Sequence, residues 1–519
     1  MQRARNESRR RFLADVGRGM LVAGVGATVA SDLGLAHADD QDDGRLTFGE
    51  LEPLVAAMQE TPVKDLQPLL VEKLSGGTDL KLLVAAGALA NARSFGGQDY
   101  AGYHTLMALL PAWQMAQELP AKSQALPVLK VLYRNTARIQ QTGKTKGRET
   151  LRPVHGRDIP STAHRGQMLQ TLMRKGDMPG TESAFAGMMN SGNPYDAYND
   201  LQHIVQEQPN VHRVVLAWRA WDILQLTGDE YARPLLRQSV RFCVDSETTM
   251  LKRKRSPSGI RTLLPRLMDE HKLPASATGK RKPDAKWIDE LAREVFAASP
   301  DAAAEAVASA LAEGFDAESI GEAISLAANL LVLHDPGRAK ASGPEKPVDS
   351  VHGASVGVHA SDAANAWRNI ARVSATRNRV ASLIVGAYHT AGQKGRVKDD
   401  PYLTKDEIDE VGTDDADKLT SLLAEAVEDS DQARSAAIVQ RWADAGHAPA
   451  PIFDILRTYA VSEDGALHAE KYFRTVTEEF TATRADFRWR HLVALARVSA
   501  SQYGWPAPGR EQARELLRV

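Results

Sequence analysis

Thiols are nearly missing from this chain: 519 residues carry a single cysteine, Cys243. One cysteine excludes an internal disulfide, a four-thiolate iron–sulfur cluster, a C-x-x-C-H haem attachment and a multi-thiolate zinc site. Any bound metal must therefore be held mainly by His, Asp and Glu. Cys243 lies in Ser239-Val-Arg-Phe-Cys-Val, which reads as a helix face, so a buried inert thiol is expected there. Aromatic residues make up only 6% of the chain, and the formal net charge is −2. That balance gives no global attraction to nucleic acid or to an anionic membrane. β-Branched runs are scarce, and beyond the N-terminus no apolar stretch is long enough to span a bilayer.

Helical periodicity fills the space these absences leave. Apolar residues recur at three- and four-residue spacing through 46–58, 62–74, 79–93, 100–119 and 126–141. The pattern continues through 211–226, 229–244, 287–298, 301–313 and 318–333, then 363–375, 378–388, 416–427, 433–443, 466–480 and 487–502. Alanine is abundant and Gly or Pro punctuates the gaps. The expected fold is all-α, with two halves of antiparallel helix pairs arranged as a bundle or solenoid.

The breaks between helices differ in charge. Between Leu251 and Lys286 there are 11 Lys or Arg against 3 Asp or Glu, whereas Arg396–Asp431 holds 13 acidic against 4 basic residues. Solvated loops are the favoured reading of both, with mutual attraction as the alternative. Two stretches resemble one another: Gly77-Thr-Asp79 through Ala88-Leu-Ala-Asn91 to Gly102-Tyr-His104 and Trp113, and Gly314-Phe-Asp316 through Ser325-Leu-Ala-Ala-Asn329 to Gly357-Val-His359 and Trp367. Duplication and chance likeness between Ala-rich helices stand side by side. The expected organisation is an N-terminal signal (1–38), an acidic tail (39–45), a first helical half (46–250), a basic linker (251–285) and a second half (286–519).

The run Ser8-Arg9-Arg10-Arg11-Phe12-Leu13 matches each fixed position of S-R-R-x-F-L and so resembles a twin-arginine export signal. A weakly apolar, glycine-rich stretch from Gly19 to Ala30 follows, then Ala36-His37-Ala38 as a small-x-small cleavage site. The resemblance implies a periplasmic or otherwise exported protein, carried already folded by the twin-arginine translocase. A membrane anchor is disfavoured because Ser31-Asp32 interrupts the apolar part.

At the start of the mature chain, Asp39-Asp-Gln-Asp-Asp-Gly-Arg-Leu-Thr-Phe-Gly-Glu50 resembles an EF-hand calcium loop. Its candidate ligands are Asp39, Gln41, Asp43, Arg45 through its carbonyl, Thr47 and Glu50. Gln41 departs from the usual Asp, Asn or Ser, and cleavage would remove the entering helix. The alternative makes Thr47 and Glu50 a capping box.

Histidines supply the other candidate site. His352 and His359 lie seven residues apart, with Gly353 and Gly357 pointing to a loop that enters a helix. His334 and His389 close the flanking helices, and His468 opens an amphipathic one; these five are the candidate metal ligands. Asp349, Asn365 and His104 are supporting candidates, and Asp362 and Glu470 are plausible carboxylate partners. Imidazoles from several helix ends, steered by carboxylates, are how a helical fold builds a metal or acid–base site.

Val358-His359-Ala-Ser-Asp-Ala-Ala-Asn365-Ala366 is similar to a histidine–asparagine motif of a little-characterised group of all-helical bacterial proteins, some fused to Rieske-type modules. The similarity covers roughly residues 310–500 and implies helical architecture and a role for these histidines. No such module follows here, so no redox activity transfers. His334-Asp335 resembles the helical HD phosphohydrolases but lacks their upstream histidine. Gly143-Lys144-Thr145 lacks the first glycine of a phosphate loop, and Ser161 with His164 lacks a third partner. The expected function is therefore a histidine-centred metal or proton-transfer site, with a divalent metal as the candidate cofactor; the alternative is a non-enzymatic envelope scaffold.

Overall fold

The computed structural model describes residues 44–143, 151–160, 164–273, 279–395, 397 and 403–519. Among these residues the fold is all-α: helices are joined by short connections, and β-structure is limited to isolated bridges at Arg281–Phe315 and Glu463–Pro506. Short polar side chains repeatedly start the helices. Asp79, Asp99, Asn210, Asp316 and Ser355 each accept a hydrogen bond from a backbone N–H two or three residues on. Such caps satisfy donors that the helix leaves unpaired. No described helix is long and apolar enough to cross a membrane.

Two apolar cores result. The larger unites helices from Glu52–Glu60 to Thr376–Gly392; the smaller joins those between Ala416–Glu428 and Trp489–Gln502, with Met115, Val332, Val351 and Val358 reaching in. Residues 251–285, expected as a linker, contain the helix Ile260–Glu270. Its Ile260, Leu263, Leu264, Leu267 and Met268 are buried in the larger core.

Four helices surround the centre: α1 (Tyr100–Gln117), α2 (Val211–Asp222), α3 (Val356–Val373) and α4 (His468–Ala482). They contact one another in cyclic order, α1 to α2, α2 to α3, α3 to α4, and α4 back to α1. The helix expected over 363–375 begins seven residues earlier, at Val356, because Ser355 caps it. Gly357 allows that start. A Cβ there would meet the Val332 backbone at 2.5 Å, so only glycine lets α3 lie against the preceding helix, Ala317–Leu333.

Helices Arg165–Arg174, Met178–Ser191 and Pro194–Val205 were not evident in the sequence pattern. Met178–Ser191 is buried on much of its surface, which blurs a one-sided apolar stripe. A Cβ at its Gly187 would lie 2.0 Å from the Arg157 carbonyl, so glycine there admits the segment running over the helix.

The N-terminus corrects the capping expectation. A short 3-10 turn (Gly49–Leu51) precedes the first α-helix, and its Phe48 N-cap has no side-chain cap. Glu52 performs the closure instead of Glu50, accepting from Phe48 N at 3.1 Å and from buried Arg93 at 2.7 Å. Arg45 pairs with Glu52 and Glu60. Of the calcium candidates, Asp39, Gln41 and Asp43 lie outside the described residues, as does the twin-arginine segment.

Candidate metal centre

Each of the four central helices carries a histidine near its N-terminus: His104 is fifth in α1, His212 second in α2, His359 fourth in α3 and His468 first in α4. Their rings meet in a closed circuit. Centroid separations are 4.8 Å for His104–His212, 5.3 Å for His212–His359, 5.4 Å for His359–His468 and 5.1 Å for His468–His104. The two histidines from the similar segments, His104 and His359, occupy opposite corners.

Local backbone sets these positions. Asp99, Asn210 and Ser355 cap α1, α2 and α3. The α4 histidine is reached differently: Ala466 and Leu467 both adopt left-handed conformations, φ 49° and 65°. For residues with a Cβ this is unfavourable by about 1–2 kcal/mol each. The strained turn brings the Ala466 carbonyl to His468 Nδ1 at 3.1 Å.

Hydrogen bonds fix the imidazole tautomers. A carbonyl can only accept, so His104 Nδ1, 2.6 Å from Tyr100 O, carries a proton, as does His468 Nδ1 against Ala466 O. Both Nε2 atoms therefore present bare lone pairs when the rings are neutral. Orienting a ligand imidazole through its other nitrogen is how proteins prepare it for a metal. His359 Nε2 lies 3.3 Å from His468 Nε2. Two imidazole nitrogens at about 2.1 Å from one tetrahedral metal stand about 3.4 Å apart.

The remaining corners have no such partner. His104 Nε2 and His212 Nε2 are buried without a hydrogen bond among the described residues. Buried polar atoms in native proteins are nearly always satisfied, and His389 Nε2 shares this unpartnered state with the two rings. Among the described residues, no three or more His, Cys, Asp or Glu side chains are drawn tightly enough to hold an ion as they stand. Only the His359–His468 edge has nitrogen spacing of the kind a shared ion requires.

Burial drives the electrostatics. It holds His104, His359 and His468 well below the usual histidine range and His212 down to about 3. Lys471 adds to the depression at all four rings, so the imidazoles are neutral at physiological pH. Lys471, one turn after His468, is itself pushed down to about 8 by burial, while Asp362 and Glu470 hold it up.

Neighbouring charges are mostly matched. Asp362 accepts from Thr475 Oγ1 at 2.8 Å, and Arg219 bonds Asp222 at 2.9 Å with Glu478 at 3.5 Å. Glu470 faces away from the rings toward Lys130, at 2.7 Å. On the solvent side, Tyr100 and Tyr103 lie against His104, with centroids at 4.4 and 5.1 Å, and both approach His212. Tyr100 is 56% exposed, so one aromatic layer separates this edge of the cluster from water.

The other sequence candidates lie elsewhere. His352 spends both ring nitrogens on structure, Nδ1 on Ser501 Oγ at 2.8 Å and Nε2 on Glu345 O at 2.9 Å. It therefore does not join His359. His334 caps its helix and packs on Phe296. Asp335 braces the loop, accepting from Gly337 N and Gly357 N. His389 accepts from Trp367 Nε1 at 3.1 Å, behind His359. Asn365 donates to Glu479 at 2.9 Å in a buried network with Arg368, and Asp349 is exposed in a left-handed turn.

His104 moves from a supporting role to a corner of the cluster, and His212 and Lys471 were missed. The available signal for His212 was its cap: Asn210-Val-His212 opens a helix as Gly102-Tyr-His104 and Gly357-Val-His359 do. No family model matches the chain, and no curated protein or solved structure is significantly similar to it.

Proposed function

We propose that His104, His212, His359 and His468 are the protein ligands of one transition-metal ion, and that the protein is a metal-dependent enzyme acting on a small molecule. The observation that carries this reading is the convergence of neutral imidazoles from four helices, two with buried Nε2 atoms that lack partners. Imidazole donors suit iron, copper, nickel or zinc and do not suit calcium or magnesium, which take oxygen ligands. When bound, such an ion supplies a Lewis-acid or redox centre.

The chain's own residues prepare that centre. Carbonyls of Tyr100 and Ala466 orient two rings, burial keeps all four unprotonated, and Lys471 is a buried amine brought down to about 8. A helical enzyme loaded with metal in the cytoplasm also accounts for an export signal of the twin-arginine type, whose product would be periplasmic or otherwise exported.

Elemental analysis of protein purified from its natural source tests this. The expected result is about one iron, copper, nickel or zinc per chain, lost when His359 and His468 are replaced by alanine. Protein exported by its own route with no stoichiometric transition metal would overturn the proposal.

A further inference from the structure

We propose that a cleft at the far end of α1 and α4 from the histidines binds a small zwitterion, an ammonium and a carboxylate on one molecule, as in an amino acid or a short peptide. The cleft holds about 340 Å³, within the roughly 300–1,000 Å³ of small-molecule sites. Its walls are the C-terminal end of α1, the outer part of α4 and the helix Ala450–Ser462. Glu118, the C-cap of α1, stands about 20 Å along the helix axis from His104. Nothing at this end of the helices depends on the metal reading.

The charges lining the cleft are divided across it. At one end a single guanidinium serves two carboxylates: Arg457, 8% exposed, donates to Glu118 at 2.6 Å and to Asp454. The Glu118 and Asp454 side chains are 41% and 64% exposed, so one negative charge is left over on this wall. The C-terminal peptide dipole of α1 points the same way, and this end favours an ammonium. At the other end Arg474 spends Nε on Glu478 at 2.7 Å. Glu478 is committed inward, where Arg219 approaches at 3.5 Å and Asn369 donates at 3.0 Å. The remaining Nη edge of Arg474 belongs to the cleft that it lines, and a guanidinium edge is a fork suited to a carboxylate. Phe453 supplies an apolar wall, met edge-on by Phe473 and Phe480 at 6.2 and 5.2 Å. An amine alone would meet Arg474, and an acid alone would meet the excess carboxylate. A molecule with both charges complements both ends.

Isothermal titration calorimetry of the full chain provides the test. The probes are L-leucine, the dipeptide L-alanyl-L-leucine, and two analogues of leucine with one charge each, isoamylamine and isocaproate. At least one zwitterion is expected to bind, at least tenfold tighter than either analogue. Leucine ahead of the dipeptide marks a free amino acid as the ligand, and the reverse order marks a peptide. Arg474→Gln should cut zwitterion affinity at least tenfold and leave amine binding no weaker, with Glu478 still held by Arg219. Asp454→Asn should weaken zwitterion and amine alike, with Arg457 still paired to Glu118. Separate loss of the carboxylate and ammonium preferences is a pattern that a packing defect would not give, and thermal melts report folding independently. No binding of either zwitterion at millimolar concentration, an analogue binding as tightly as both zwitterions, or affinity unaltered by both substitutions would overturn the proposal.

Discussion

His359 and His468 are 109 residues apart in the chain, yet their Nε2 atoms stand 3.3 Å apart, at the spacing of two nitrogens on one ion. Neither ring makes this contact through its own helix. It exists because α3 and α4 pack together and because two left-handed residues end the turn just before His468.

Replacing a corner histidine by alanine should lower metal affinity by at least about 100-fold, more than the roughly 10–100-fold lost when a residue that only orients a ligand is replaced. His352→Ala should leave affinity unchanged, since both its ring nitrogens bond elsewhere. Competition with a chromophoric chelator separates the two cases. Equal loss in both variants would contradict the assignment.

The strained turn should be separable from the ring it positions. Leu467→Gly relieves a positive φ of 65° and should stabilise the local backbone or be neutral. Metal affinity should fall, because freedom at 467 loosens the placement of His468. Thermal melts and metal titration together check the two directions.

Acid stability should report the buried histidines outside the cluster. Burial lowers His352, His389 and His491 to about 4 and His203 to about 3. Because these folded values lie below the unfolded value near 6.5, the unfolded chain binds more protons in that window. Stability is complete above about pH 6.5 and falls as pH drops toward 4. Each histidine contributes about 1.4 kcal/mol per pH unit. His389→Gln should therefore reduce the slope of unfolding free energy against pH by about one proton, measured by denaturant titration between pH 6.5 and 5.

Arg368 joins two carboxylates of unequal value. Glu479 is 2% exposed and also accepts from Asn365, whereas Glu318 is 47% exposed. Glu479→Ala should cost about 3 kcal/mol because it leaves the buried Arg368 guanidinium with only the half-exposed Glu318 as counter-charge. Glu318→Ala should cost about 1 kcal/mol or less. Similar losses in urea unfolding would refute this ranking.

Cys243 is fully buried on the Ala232–Lys252 helix, and burial raises its thiol. A thiol reagent should leave the native protein unmodified and label one site per chain after unfolding. Rapid labelling of folded protein would show that this helix opens.

The sequence by itself determined the all-α class and most of its helices, and with one cysteine it left no thiols for an internal disulfide, a four-thiolate cluster or a C-x-x-C-H haem. Periodicity and caps are local, and the cysteine count needs no structure. It also singled out His359, His468 and His104, because each sits where a polar residue enters an apolar helix. Only tertiary structure decided which histidines belong together. His352 is closest to His359 in the chain but is turned aside by Ser501 and the Glu345 carbonyl, while His212 arrives from a segment 147 residues away. Convergence depends on the cyclic packing of four helices, which no local pattern encodes. Lys471 follows the same rule: a lysine on an amphipathic helix reads as solvent-facing until the fold buries it.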